Sequence, residues 1–557
     1  MSQKINGVIN KRRIIYCLVI SILFSLSLVC GYQLQNIGGT FAGLGGKLRI
    51  LLISALVSVP VFIIIYLIFL FAEKINPKDT FLLSRKNQLI MFFSFWGITF
   101  LCWIPVFLAY YPCVMSSDFD VQLYQISQGH KFFTNHHPYL STLEIEFFYN
   151  LAPVLGTVRK AMAALGIWHL LVMSSAFAML DLTIYKLCGK KWIVIAMAVL
   201  FILYPVNPVI GLSTTKDVDF STSFLWFMCL LTDKFFVRKS KKIFEVSDIA
   251  LWLLGLLMCS FRNNAVYALA VTGIIMVIVS AKKNKLWYVA MLVAILFSFK
   301  LSQFGIEKAL GVTSSSATPE MHSVIIQTLG RTYINNENEL PKEVKDKIEY
   351  YIPKDALQEY NPALSDPLKT PVTNETFKKH WAGNMGNVFK DWISIGLLYP
   401  DDYFDAILDL TRGYWYLGDT SYATVWGADL IYRMGLLYTN NTSGYYGMEE
   451  IWHESKLPGL ELVYEKILSR NDFFKWPILN IFFRLSFYTL GMIFVGFVFL
   501  YKREYKKLCF LIFPILYFGT LLLGPTAYIR YVFPIMISTP IFVALLFINS
   551  EQAVSNE

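Results

Sequence analysis

The segment YYPCVMSSDFDVQLYQISQGHKFFTNHHPYLST, which covers Tyr110–Thr142, is polar and directly follows an apolar run. Many more apolar runs come after it. It contains carboxylates, amides and imidazoles that can bind or activate a polar substrate: Asp118, Asp120, Gln122, Gln125, His136 and His137. Polar side chains gathered at the end of an apolar run predict a site at a membrane surface, and we interpret the other apolar runs as the frame that holds it.

A short helix is predicted within this segment, with Ser117 as its N-cap. On such a helix Asp118, Gln122 and Gln125 share one face, and the Asp118 carboxylate lies at the positive helix end, where it stays ionised and can accept a proton. Asp120 follows Ser117 at the spacing of a capping box, which needs no chemistry. For Asp120 we favour capping, while both carboxylates remain candidates for catalysis.

The composition is too apolar for a soluble globular protein and predicts a membrane protein with many spans, because 55% of the 557 residues are hydrophobic and only 16% are charged. The net charge is +10, but the basic residues form short clusters between apolar runs. That is the pattern of cytoplasmic loops rather than of a nucleic-acid groove, so no nucleic-acid partner is expected. The eight scattered cysteines predict no disulfide framework.

Twelve apolar runs are long enough to cross a membrane, and they cover residues 14–32, 50–72, 89–110, 161–181, 192–212, 220–236, 244–261, 265–281, 286–303, 479–500, 508–524 and 531–549. With a cytoplasmic N-terminus, the strongly basic connectors all fall on the cytoplasmic side, and so does the C-terminus. The sequence therefore predicts an all-α, multi-pass protein of the cell membrane.

Four parts are predicted along the chain. They are two additional N-terminal transmembrane helices (1–88), a transmembrane core with the loop 111–142 (89–303), a mainly helical extracytoplasmic domain (304–478) and three C-terminal transmembrane helices (479–557). Residues 140–157 are apolar but carry Glu144, Glu146 and Pro153, so we expect an interfacial helix there rather than a further span.

Four polar segments end apolar runs on the extracytoplasmic side: Ser117–Pro138, Ser213–Asp219, Phe261–Asn264 and Thr526–Tyr531. The last three contribute further candidates for substrate binding, namely Lys216, Asp217, Arg262, Asn263 and Arg530. Cations can hold a phosphate while a carboxylate acts on a hydroxyl group. The alternative is that Lys216 pairs locally with Asp217 or Asp219, and that the two arginines are interfacial anchors.

Two more candidates lie in the extracytoplasmic domain, where Gln327 and Arg331 are four residues apart on a predicted helix, although a surface ion pair explains Arg331 equally well. His136 and His137 are adjacent, which points their rings apart on regular structure, so no metal site is predicted. Asp118 and Asp120 alone make a poor site for a divalent cation. No cofactor is expected to be required, and a divalent cation stays open.

The order of these segments resembles the GT-C superfamily of membrane glycosyltransferases. The motifs similar to an uncharacterised bacterial branch of it are YPCVMSSDFDVQLYQISQG, NHHPYLSTL, TTKDVDFS, FRNN, IQTLGRTY, GYWY and IRYVFP. The resemblance implies transfer of a sugar from a polyprenyl-phosphate donor to an extracytoplasmic glycan, lipid or protein, with membrane lipids around the spans. It implies Asp118 as the base of an inverting attack. It also implies that Lys216 and Arg262, with Arg331 or Arg530, hold the phosphate. His136 and His137 would either bind the phosphate or orient Asp118.

Two other functions fit the same pattern. Twelve spans are also common in transporters, such as a flippase for a lipid-linked glycan, but transporters gather polar groups near the bilayer midplane, and here these groups cluster at one face. A glycan polymerase or ligase, which moves a whole oligosaccharide, would use the same residues.

Overall fold

Helices form almost the whole chain in the computed structural model, which describes residues 2–40, 43–238, 242–280, 282–312, 322–369, 377–420, 434, 436–437, 451–468 and 479–549. An apolar run becomes a helix because only a helix satisfies all backbone polar groups within one segment that lies in lipid. The sole sheet among the described residues has two short antiparallel strands, β1 and β2.

The first part of the chain contains α1 Ser2–Ile37, α2 Gly43–Lys74, α3 Arg85–Ala109, β1 Met115–Ser116, α4 Ser117–Gln128, the 3₁₀ turn His130–Phe132, α5 Tyr139–Tyr149, α6 Ala152–Leu155, α7 Val158–Cys188, α8 Lys191–Leu203, α9 Val206–Gly211, α10 Asp217–Thr232 with the π-helical turn Asp233–Val237, α11 Ser247–Phe261, α12 Asn263–Val279 and α13 Lys282–Leu310. The second part contains α14 Ser323–Asn336, α15 Lys342–Tyr351, α16 Lys354–Leu357, α17 Asp366–Lys369, the π-helical turn Phe377–Trp381, α18 Met385–Leu398, α19 Pro400–Trp415, β2 Leu436–Leu437, α20 Pro458–Leu468, the 3₁₀ turn Leu479–Phe483, α21 Leu485–Lys502, α22 Tyr505–Phe510, α23 Ile512–Leu521, α24 Ile529–Ala544 and the 3₁₀ turn Leu545–Phe547.

Within the described residues, eight helices are long and apolar enough to cross a membrane: Lys11–Ile37, Gly46–Lys74, Arg85–Ala109, Val158–Cys188, Asp217–Val237, Asn284–Leu310, Leu485–Lys502 and Ile529–Phe547. This confirms an all-α membrane protein. The other four apolar runs form shorter helices, and the run at 192–212 is divided at Tyr204, because the residue before Pro205 is disfavoured in a helix.

The predicted interfacial helix is also divided. α5 ends at Tyr149, and the short α6 follows after Asn150 and Leu151, with Pro153 in its first turn. α5 buries one face that includes Ile145 against α7, so its apolar residues serve partly as core.

The central helices α7 and α10 run parallel, and polar contacts mark both of their ends. Near their starts His169 lies 3.2 Å from Asp219, and near their ends Lys186 binds Asp233 over 2.8 Å. Between these contacts most buried side chains are apolar, including Phe177 of α7, although Asp181 and several serine and threonine side chains are buried there as well. The helical body therefore has two polar ends, and the polar loop 111–142 lies at the end where α7 and α10 begin.

The helices α14 to α19 build a second apolar core around Tyr333, Ile348 and Trp381. Several contacts join this core to the helical body. Arg331 of α14 donates to the carbonyl oxygen of Gly38 in the turn between α1 and α2, and Thr40 N in the same turn donates to Asp405 Oδ2 of α19 over 2.8 Å. These contacts attach the predicted extracytoplasmic domain to the turn between the N-terminal helices α1 and α2.

Candidate functional site

Backbone hydrogen bonds join the polar loop after α3 to the loop before α10. Thr214 N donates to the carbonyl oxygen of Val114 over 2.9 Å, and Ser116 N donates to Thr214 Oγ1 over 3.2 Å. Gly166 of α7 allows the first loop to approach, since a Cβ atom there would lie 3.2 Å from the carbonyl oxygen of Pro112. These contacts set the first turn of α4 beside the first turn of α10.

The Asp118 carboxylate lies among basic groups from three distant parts of the chain. Lys216 Nζ donates to Asp118 Oδ2 over 2.9 Å, Arg530 Nη2 lies 3.5 Å from Oδ1, and His137 Nδ1 lies 4.0 Å from Oδ2. Among the described residues Lys216 pairs with Asp118 and with neither Asp217 nor Asp219, so the alternative of a local pair is wrong.

Asp217 holds the two arginines. Its side chain is completely buried, and it binds Arg262 through Oδ1 while Oδ2 lies 3.6 Å from Arg530 Nε. Thr215 Oγ1 donates to Asp217 Oδ2 over 3.1 Å and accepts from Arg530 Nη1 over 3.2 Å. Both arginine side chains are 10% exposed or less, so the interpretation of Arg262 and Arg530 as interfacial anchors is wrong.

We call the five residues Asp118, Lys216, Asp217, Arg262 and Arg530 the charge cluster. It has three cations and two carboxylates, so its net charge is 3 − 2 = +1. The side chains of Asp118 and Lys216 are the most exposed members, at 21% and 15%. The cluster is therefore open to solvent at these two residues and has one positive charge in excess, which suits an anionic ligand.

Electrostatics decide the ionisation of Asp118 and His137. Burial opposes the charge of Asp118, but the charges of Arg530 and Lys216 outweigh it and hold the pKa of the carboxyl group well below its ordinary value. Burial and the charge of Lys216 lower the pKa of His137 well below its ordinary value, so this imidazole is neutral. Because Lys216 can only donate, His137 Nδ1 accepts over 3.1 Å and Nε2 carries the hydrogen.

The Nε2–H group of His137 is buried and has no hydrogen-bond partner among the described residues. It is a donor available to a ligand that enters beside Asp118. His136 is exposed, and its ring meets the His137 ring edge to face with centroids 4.5 Å apart. The expectation that the two rings point apart is wrong, because residues 133–138 form a loop rather than regular structure.

Tyrosine rings line the buried side of the charge cluster. The Arg262 guanidinium lies 4.5 Å from the Tyr531 ring centroid, and that of Arg530 lies 5.2 Å from the same ring and 5.6 Å from Tyr528. Such contacts stabilise a guanidinium group without neutralising its charge.

The predicted amide residues bind protein groups that shape the loop. Gln122 Nε2 donates to Ser141 Oγ and to Thr142 Oγ1, each over 3.0 Å. Gln125 Nε2 donates to Thr134 Oγ1 over 3.2 Å. Asn263 Nδ2 reaches the carbonyl oxygen of Asn135 over 3.2 Å. In this structure these side chains fix the loop that carries His137.

Gln327 and Arg331 are not brought into the charge cluster. Gln327 Nε2 donates to the carbonyl oxygen of Asn361 over 2.6 Å. Arg331 is 3% exposed and lies between Asp405, at 3.7 Å, and Asp409. Their observed contacts join α14 to α19 and to the loop after α16, which is a structural role.

The surroundings of Asp120 differ from those of Asp118 in burial, hydrogen bonding and pKa. The N-cap of α4 is Ser116 rather than Ser117, and it makes no side-chain capping bond. Asp120 is 8% exposed, and its Oδ1 has no hydrogen-bond partner among the described residues, so the capping box is not what the structure shows. Burial raises the pKa of Asp120 to about 6.

This raised pKa predicts how stability depends on pH. The ordinary carboxyl pKa in the unfolded chain is near 4, so the folded protein binds the proton more tightly and the ionised Asp120 destabilises it above pH 6. We expect Asp120→Asn to raise the free energy of unfolding at pH 8 by on the order of 2 kcal/mol. The difference between variant and wild type should vanish as the pH falls to about 4.

Unfolding in detergent, followed by circular dichroism at several pH values, measures this difference. Asp118→Asn is a control of opposite sign. Because the pKa of Asp118 is lower in the folded than in the unfolded chain, the ionised carboxylate stabilises the fold at pH values above the unfolded pKa, and this stabilisation is lost as the pH falls. Asp118→Asn should therefore lower the free energy of unfolding at pH 8. A destabilised Asp120→Asn protein at pH 8 would contradict the prediction.

A second polar group lies beside the charge cluster, and the sequence did not single it out. It consists of Glu144 from α5, His169 from α7 and Asp219 from α10, with ligand-type atoms all within 4.8 Å of one another. His169 is the only histidine of the apolar helix α7, and Glu144 belongs to the segment in which the sequence predicts an interfacial helix. The three residues come from separate helices, so no local motif joins them.

Comparison with known proteins gives one family. A family model described as "Family of unknown function (DUF6020)" matches residues 113–557. The match begins just before the strand that precedes α4 and includes every residue of the charge cluster. No curated protein and no solved structure matches the chain.

Proposed function

Since this chain belongs to the DUF6020 family, whose function is unknown, we propose from its charge cluster that it is a membrane glycosyltransferase. It transfers a sugar from a polyprenyl-phosphate-linked donor to an extracytoplasmic acceptor in the cell envelope: a glycan, a lipid or a protein. The observation that carries the proposal is the contact of Asp118 with Lys216 and Arg530 beside helices long enough to cross a membrane.

The phosphate of the donor binds at the open side of the charge cluster. Lys216 and Arg530 supply positive charge, and the Nε2–H group of His137 supplies a further donor. Arg262, which is paired with the buried Asp217, adds a further positive charge on the buried side of the cluster. The apolar helices around the cluster give the polyprenyl chain a lipid environment.

Transfer is an inverting displacement at the anomeric carbon. Asp118 takes the proton of the acceptor hydroxyl group as its oxygen attacks, and the bond between the anomeric carbon and the phosphate oxygen breaks. The electron pair of that bond leaves with the polyprenyl phosphate. Negative charge grows on the leaving phosphate in the transition state, and Lys216 and Arg530 stabilise it there.

Asp118 fits this role better than Asp120. Residues two positions apart on a helix point in nearly opposite directions, so only Asp118 faces the cations that hold the phosphate. Its low pKa makes it a weak base while no donor is bound. A bound phosphate adds negative charge beside Asp118 and occupies Lys216 and Arg530, which raises the pKa towards the range of a useful base.

The twelve predicted spans, with both termini in the cytoplasm, put this site on the extracytoplasmic face. Basic residues at the opposite polar end support that orientation. There Lys186 binds Asp233, and Lys507 Nζ donates to the carbonyl oxygen of Ile548 over 2.8 Å. The second apolar core formed by α14 to α19 would then lie outside the membrane, near the acceptor.

Reconstitution tests the function directly. The purified protein in liposomes is given a panel of polyprenyl-phosphate-linked sugars and envelope acceptors, and we expect the glycosylated product together with free polyprenyl phosphate. Movement of the intact donor between leaflets without sugar transfer would instead establish a flippase. Products that grow by whole repeat units would establish a polymerase or ligase.

Removal of the Lys216 charge should weaken donor binding. A charge-assisted hydrogen bond contributes about 1.5 to 3 kcal/mol, so we expect Lys216→Gln to bind polyprenyl phosphate roughly ten- to a hundredfold more weakly. Lys456→Gln is the control, because Lys456 is 44% exposed and pairs with Glu454 at 2.5 Å. Equal affinities for polyprenyl phosphate in both variants would remove Lys216 from the donor site.

A further inference from the structure

The group of Glu144, His169 and Asp219 has the geometry of a set of metal ligands. His169 Nε2 lies 3.2 Å from Asp219 Oδ2 and 3.6 Å from Glu144 Oε2. Ligand bonds of about 2.1 Å to a first-row divalent ion place neighbouring ligand atoms roughly 3.0 to 3.4 Å apart. The observed separations come close to this range.

The Nδ1 contact of His169 leaves Nε2 as the ring nitrogen that can bind an ion. His169 Nδ1 lies 2.7 Å from the carbonyl oxygen of Ser213, which can only accept, so Nδ1 carries the hydrogen. Metal-binding histidines commonly make this contact, because it fixes the ring and frees Nε2 for the ion. His169 is 2% exposed, and its Nε2 has no hydrogen-bond partner of acceptable geometry among the described residues.

Neither carboxylate makes a hydrogen bond of acceptable geometry with His169 Nε2. Asp219 Oδ2 is buried and has no hydrogen-bond partner among the described residues, although it lies only 3.2 Å from His169 Nε2. Asp219 Oδ2 therefore does not lie in line with a hydrogen placed on His169 Nε2. Glu144 is oriented by Trp168, whose Nε1 donates to Oε1 over 3.0 Å and leaves Oε2 facing His169.

From this geometry we propose that Glu144, His169 and Asp219 bind a divalent first-row transition-metal ion, such as Mn²⁺ or Zn²⁺. One nitrogen and two carboxylate oxygens suit these ions. The ion stabilises the structure by tying α5, α7 and the first turn of α10 together. Because Asp219 is two residues from Asp217, the ion also fixes the turn that holds the charge cluster.

Metal binding is measured on the purified full-length protein without any sugar donor, so its outcome is separate from that of the proposed transfer. After treatment with a chelator, the protein is dialysed against Mn²⁺ or Zn²⁺. We expect one tightly bound ion per chain. Pulsed electron paramagnetic resonance of the Mn²⁺ form should show hyperfine coupling to the nitrogen of a single imidazole.

Matched variants identify the ligands. Glu144→Gln and Asp219→Asn keep the shape of each side chain, and we expect each to weaken metal binding by at least about tenfold. Glu146→Gln is the control on the same helix, because Glu146 pairs with His130 at 2.7 Å outside the group. A wild-type protein that binds no ion, or whose bound Mn²⁺ lacks nitrogen coupling, overturns the proposal whether or not the variants fold. An equal loss in Glu146→Gln overturns it as well.

Discussion

Asp118→Asn should reduce the rate of sugar transfer by about a hundred- to ten-thousandfold, which is the usual contribution of a general base. The amide keeps the shape of the side chain but cannot take the proton of the acceptor hydroxyl group. It also removes one negative charge beside Lys216 and Arg530, so the affinity for polyprenyl phosphate should stay the same or rise. We therefore expect kcat to fall while the affinity for the donor does not.

Initial rates of transfer and equilibrium binding of polyprenyl phosphate, measured on the same reconstituted sample, separate the two effects. Asp120→Asn is the comparison, because Asp120 lies on the same helix but away from the cations, and it should change the rate far less. A folded Asp118→Asn protein that binds the donor and transfers sugar at the full rate would show that Asp118 is not the base. A variant that loses donor binding as well would indicate that Asp118 organises the cations instead.

Asp217→Asn should cause the largest loss of stability among single changes in the site. Asp217 is completely buried and compensates two buried arginines, Arg262 and Arg530. Removing one partner of a buried ion pair typically costs about 3 to 5 kcal/mol, because the remaining charge has neither water nor a counter-ion. The free energy of unfolding in detergent, with circular dichroism as the signal, measures this cost.

An exposed carboxylate at the same end of the helical body provides the control. Glu454 also meets two basic groups, Arg159 and Lys456, each at 2.5 Å, but its side chain is 48% exposed. Glu454→Gln should therefore leave the unfolding midpoint nearly unchanged, because exposed ion pairs are weak and easily replaced by water. Similar midpoints for the two variants would show that water already solvates the arginines beside Asp217.

The membership of the candidate site follows to a large degree from the sequence. Lys216, Arg262 and Arg530 each stand at the end of an apolar run, which predicts that they share a site, and the structure joins all three to Asp118 or Asp217. Runs that cross a membrane alternate in direction, so a count of the runs decides which ends share a face. That argument needs no knowledge of packing.

The pairing inside the site could not be predicted in the same way. Lys216 has two carboxylates within three residues, yet it binds Asp118, which lies 98 positions away. The neighbouring Asp217 points into the protein towards Arg262, because the first turn of α10 carries successive side chains in different directions. Gln327 and Arg331 share a helix face as predicted, but the fold turns that face towards Asp409 and the loop after α16.

The apolar pattern was sufficient to predict an all-α membrane protein and to predict which polar segments share one end of its helical body, because each apolar run is a local feature of the sequence. The packed fold was needed to show that His169 meets Glu144 and Asp219, and that Asp120 Oδ1 is buried without a hydrogen-bond partner among the described residues. These contacts depend on the rotation and depth at which helices pack against one another. Contacts between side chains far apart in the chain set this rotation and depth, so neither can be predicted from a single segment of the sequence.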